Sequence, residues 1–140
     1  MTTIKSYTDL KQSKKLAEIL PLESADMVYY KYANKPHKDD LDSPIVFKNN
    51  NKWYWIDIYD KTHCGKDDIL AWSLAALLCV LNKSAYFINS EAGIVELSSI
   101  KATKWSVSIL NCGKIEDCYA DNPVDACVAM IEKLHELNLL

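Results

Sequence analysis

The sequence predicts an α+β fold, a mainly antiparallel sheet of about five to seven strands with three helices packed on it, and three observations carry that prediction. Segments 9–20 and 123–137 repeat apolar residues at helical spacing behind a capping residue, and 69–81 is apolar throughout apart from Ser73. The stretches "VYYKY", "IVFKNNNKWYWIDIY" and "WSVSILNCGKIEDCYA" are rich in β-formers or alternate with period two. The resulting order, α-β-β-β-α-β-β-β-β-α, does not alternate strictly, which argues against a doubly wound parallel sheet.

The first helix is expected over 9–20. Thr8 is its cap, Leu10, Ala17 and Leu20 form the buried stripe, Leu16 and Ile19 widen it, and Pro21 ends it. "VYYKY" at 28–32 reads as a strand, and the charged, proline-bearing stretch 33–44, with His37, reads as a surface loop. Strands 45–48 and 52–59 then form a hairpin about Asn49-Asn50-Asn51, because Asn tolerates the left-handed conformation of tight turns.

Alternation along 52–59 places Trp53, Trp55, Asp57 and Tyr59 on one face. That face is the candidate ligand site, with aromatic rings available for stacking on a sugar, a base or a partner side chain and Asp57 accepting a hydrogen bond. The competing reading, which we favour, is that these rings lie in the core, since three helices need a sheet to cover.

"THCGKDDILAWSLAALLCVL" opens the second helix, expected over 69–81 behind an Asp67 or Asp68 cap, with Cys79 as a small buried hydrophobe. Being apolar on every side, this helix belongs between layers or at a subunit interface. His63 and Cys64 precede it. The acidic cap opposes a thiolate there, adjacent residues on an extended chain point apart, and "CGKDD" lacks the spacing of a phosphate loop. No catalytic residue is assigned.

"AYFIN" and "GIVEL" suggest short strands, "WSVSIL" a strand with one mostly polar face, and "IEDCYA" its antiparallel partner beyond the turn at Gly113. The last helix starts with Asn122 as cap and Pro123 at its first position. Val124, Cys127, Ile131 and Leu134 are its buried stripe, flanked by Val128 and Met130. Leu137, Leu139 and Leu140 lie at or past its end, where they form a candidate interface for a second copy or for a phage or host protein; packing back onto the sheet is the equal alternative.

Composition narrows the function classes. A chain of 140 residues has the size of one globular domain, and 49% apolar with 25% charged residues is ordinary for a folded protein. The sixteen basic residues are all Lys and the net charge is −3, which disfavours nucleic-acid binding. No apolar leader precedes the first helix and no run reaches the roughly 18 residues of a membrane span, so a cytoplasmic location is expected. Five cysteines, spaced 15, 33, 6 and 9 apart, fit neither a disulfide framework nor zinc-ligand pairs and read as free thiols. No metal or cofactor is expected.

The segments "SKKLAEILPLESADM" (13–27), "WSLAALL" (72–78) and "ADNPVDACVAMIEKLHELNLL" (120–140) resemble short uncharacterised proteins encoded in bacterial prophage regions and mobile elements. The resemblance covers about a third of the chain. It implies a phage or mobile-element setting and no activity, cofactor or site residue. The resulting expectation is a small interaction or accessory protein, then a ligand binder, with an enzyme last.

Overall fold

In a computed structural model of the chain, the structure describes residues 5–29, 45–46, 48–49, 52–53, 69–88, 95–101, 104–111 and 114–140. The fold is α+β with three α-helices and only antiparallel strand pairs among these residues. It divides into two compact units, residues 9–73 and residues 1–8 with 74–140. The strands are distributed over two three-stranded ladders and one two-stranded ladder, where the sequence suggested one sheet.

In the first unit, α1 (Leu10–Ile19) is started by Asp9, whose carboxylate accepts the Gln12 N–H while the Gln12 side chain accepts the Asp9 N–H. This reciprocal pair satisfies two donors that a helix end otherwise leaves free, and it displaces Thr8, which is buried, from the expected capping role. Ser13, Leu16 and Leu20 face inward and Ala17 is exposed, so the stripe is rotated from the one expected. A short 3-10 turn, Leu22–Ser24, leads into β1 (Met27–Tyr29), the middle strand between β2 (Ile45–Val46) and β5 (Ile69–Ala71). All three β1 side chains are buried.

β3 (Lys48–Asn49) and β4 (Lys52–Trp53) pair antiparallel, with Lys48 opposite Trp53 and Asn49 opposite Lys52. Of the expected hairpin of 45–48 with 52–59, the pairing of Lys48 with Trp53 is present and Asn49 lies inside the ladder, whereas Ile45 and Val46 pair with β1 instead, and residues 54–59 lie outside the described residues.

Residues 69–71 are a strand, where a helix was expected from Ile69. A short apolar run is ambiguous between strand and helix, and here pairing of Ile69, Leu70 and Ala71 with Tyr29, Val28 and Met27 decides it. Trp72 follows, wholly buried, and its indole N–H donates to Ser24 Oγ at 2.9 Å; that hydroxyl in turn donates to the Pro21 carbonyl at 2.6 Å. The Asp26 carboxylate accepts both the Ser73 N–H, at 2.8 Å, and the Ser73 hydroxyl.

In the second unit, α2 (Leu74–Ile88) begins five residues later than expected, with the Leu74 N–H donating to the Ser6 carbonyl. It also runs on through "AYFI", which the sequence suggested was a strand. No Gly or Pro interrupts 74–88, and Ser84 satisfies its hydroxyl on the Val80 carbonyl, four residues back. Ala76, Leu77, Val80 and Leu81 are buried while Ala75 and Cys79 are exposed, so Cys79 is not the core residue expected.

β6 (Val95–Lys101), β7 (Lys104–Asn111) and β8 (Lys114–Ala120) form a meander with β7 central. α2 packs over β6 and β7, α3 (Pro123–Glu136) over β7 and β8, and the two helices touch. Val107 and Ile109 are sealed beneath them with Leu77, Leu81, Val124, Cys127, Met130, Ile131 and Leu134. The expected α3 stripe and its Asn122 cap, whose Oδ1 accepts the Asp125 N–H at 2.9 Å, are present. Lys5 reaches the same Asp125 carboxylate at 2.8 Å and ties the N-terminal segment to the start of α3.

Candidate functional site

The inner and outer faces of the β6–β8 sheet differ because side chains alternate along each strand. Opposite residues of an antiparallel pair share a face, so Ser106 with Tyr119 and Ser108 with Asp117 lie on the side away from the helices. Ile115 belongs to the same alternate set. Ile115 is 62% and Tyr119 54% exposed, the two most exposed large apolar side chains among the described residues. Lys104 Nζ sits 5.2 Å from the Tyr119 ring centroid, and the Ser108 hydroxyl donates to Asp117 Oδ1. Ser106, expected on an open polar face, is 8% exposed, because the centre of a three-stranded face is shielded by its neighbours.

Glu116 falls on the inner side, directly opposite Ile109, and is 8% exposed. A carboxylate so placed needs a partner. Lys133 supplies one from α3, with Nζ 2.8 Å from Glu116 Oε2, and Lys114 stands 3.8 Å from Oε1. The hydrogen bond from Lys133, followed by the charges of Lys133 and Lys114, holds the Glu116 carboxyl below its ordinary value of 4.5 against the opposing effects of burial and Asp117. The same bond raises Lys133 above its ordinary 10.5.

A depressed carboxyl contributes stability that is present above its unfolded value and lost as pH falls through the folded one. The wild-type chain should therefore lose stability below about pH 4.5, and Glu116→Gln should show a shallower loss there. Urea midpoints measured between about pH 3 and pH 6 test this, and parallel curves for the two proteins would remove Glu116 from the acid response.

Burial raises the Cys118 thiol and pushes Cys127 up to about 12, so neither is a thiolate near neutral pH. Cys79 is also free, and no group of three or more His, Cys, Asp or Glu with metal-binding geometry occurs among the described residues.

Of the sequence-derived candidates, Trp53 is placed in β4 by its backbone, and Trp55, Asp57 and Tyr59 lie outside the described residues, as do Cys64 and Cys112. Leu137 and Leu140 are 45% and 42% exposed and Leu139 is half-buried. Asn138, with φ 56°, turns the chain at the end of α3 and lets the Leu139 N–H reach the Leu134 carbonyl at 2.8 Å. The β8 residues were read from sequence only as a strand. Ile115, Asp117 and Tyr119 carry an apolar, acidic, apolar alternation that could have signalled a surface, but which strand was an edge was not legible. No helix among the described residues is long and apolar enough to cross a membrane. No family model, curated protein or solved structure matches the chain.

Proposed function

We propose that this is a small accessory protein that works by binding another protein, in the cytoplasm of a bacterial host and in a phage or mobile-element setting. The observation that supports it is the pair Ile115 and Tyr119, 62% and 54% exposed on an edge strand whose other face is packed beneath α3. Large apolar side chains exposed on an edge strand offer area that a second protein can cover. A photo-crosslinking amino acid placed at Tyr119 in the producing cells should give a discrete adduct with another protein, whereas the same group at exposed Glu18 on α1 should not. Adducts absent at both sites, or identical at both, would overturn the proposal.

A second reading, association with another copy of the chain, is supported by the exposure of Leu137 and Leu140. A dimer of this kind buries roughly 1,200 Å² or more and depends on concentration. Light scattering over a hundredfold dilution should then show a dimer that a chain ending at Glu136 fails to form; a full-length protein monomeric throughout would dispose of this reading.

A further inference from the structure

Among the described residues β8 is an edge strand, protected by the inward-pointing Glu116 and by Lys114 but by neither a proline nor a bulge. Its seven residues contain no Pro, and its ladder with β7 runs from Trp105↔Ala120 to Asn111↔Lys114 without a register shift, whereas β6, the other edge, is interrupted between Ser99 and Lys101. Lys133 Nζ donates to the Asp117 carbonyl, at a long 3.4 Å. In an antiparallel ladder each residue turns its N–H and C=O to the same side and successive residues alternate. The Lys133 ammonium on the Asp117 carbonyl fits the arrangement in which the backbone groups of Ile115, Asp117 and Tyr119 turn away from β7.

The side chains at these positions specify a partner. Ile115 and Tyr119 are exposed, and Asp117 between them is bonded by the Ser108 hydroxyl with no cation paired to it among the described residues. Lys133 and Lys114 are engaged with Glu116, and Lys104 lies over the Tyr119 ring. A second copy of β8 is a poor match. The register that sets Ile115 against Tyr119 of the copy sets Asp117 against its own equivalent, and like charges directly opposite are destabilising. A shift by one residue exchanges the faces, and a shift by two sets the carboxylate against an apolar side chain.

Resting on the reading of this protein as a protein-binding module, we infer that the open edge of β8 accepts an extended segment of a different protein as a fourth antiparallel strand, selecting one that alternates apolar, Lys or Arg, apolar. The cation pairs with Asp117, the apolar residues cover Ile115 and Tyr119, and backbone N–H groups of the segment replace the long Lys133 bond. Strand addition of this kind draws affinity from the main chain and specificity from alternate side chains.

The test uses the full chain and two end-blocked peptides, Thr-Val-Thr-Lys-Thr-Val-Thr and the same sequence with Glu in place of Lys. Amide-resolved NMR titration should show shifts concentrated at 115–119, with the Lys peptide binding on the order of tenfold more tightly, as expected for exchanging an opposite-charge for a like-charge pair. Asp117→Lys should invert the preference, and Asp117→Asn, nearly isosteric, should abolish it. Equal binding of both peptides, no binding of either, or shifts centred away from β8 would overturn the inference. If that occurs while the crosslink from Tyr119 is still formed, the edge mechanism falls and the protein-binding reading stands; loss of the crosslink as well removes both.

Discussion

Trp72→Ala is expected to destabilise the 9–73 unit by on the order of 3–5 kcal/mol, a large part of the whole stability of an ordinary domain. Trp72 is wholly buried, so the truncation removes the largest sealed side chain among the described residues and leaves a cavity that its surroundings fill only in part. It also removes the hydrogen bond from the indole N–H to the Ser24 hydroxyl, 2.9 Å long, and leaves that hydroxyl its bond to the Pro21 carbonyl. Trp72→Phe separates the two effects, since it keeps most of the apolar volume and should cost nearer the 1 kcal/mol or so of a lost hydrogen bond plus a smaller packing defect. Chemical denaturation of the three proteins measures both, and a Trp72→Ala midpoint close to wild type would contradict the burial of the indole.

Leu134→Ala should cost about 2–5 kcal/mol, while Leu137→Ala, three residues on, should stay within about 0.5 kcal/mol. The two differ in environment alone: Leu134 is sealed under α3 with Ile131 and Met130, and Leu137 is 45% exposed beyond its last turn. The contrast also isolates assembly. If Leu137→Ala changes stability only at high protein concentration, the loss belongs to association between copies and not to the fold of one. Equal effects of the two substitutions at low concentration would mean that the terminal leucines are part of the core.

α3 was the most legible element because its signals are local. Asn122 as cap, Pro123 in the first turn and apolar residues three and four apart require nothing from elsewhere in the chain, and the structure reproduces the stripe from Val124 to Leu134. α1 was legible in existence and not in detail. Thr8 and Asp9 are both capping residues, and what distinguishes them is the Gln12 side chain returning to the Asp9 N–H, a pairing whose sequence mark is a residue three positions on. The α2 region was misread at both ends: the continuous apolar run 69–81 has no period, so its strand and helix portions look alike, and Tyr86, Phe87 and Ile88 beyond Asn82-Lys83-Ser84 are β-formers that the helix nevertheless takes in.

Spacing within a few residues thus determined the α+β class, the β7–β8 pair and the start and buried face of α3. Tertiary structure decided what depends on distant partners. Residues 69–71 became a strand because β1 was there to pair with them, and Cys79 was left exposed on the side of α2 away from Leu77, Val80 and Leu81. Glu116, one polar residue in an outwardly unremarkable strand, became a buried carboxylate because Lys133, from the following helix, lies 2.8 Å away. The candidate site belongs to the same class. Whether Ile115, Asp117 and Tyr119 face a neighbouring strand or an open edge is set by the ordering of strands in the sheet, and a strand's own residues do not encode which of its two sides will be left unpaired.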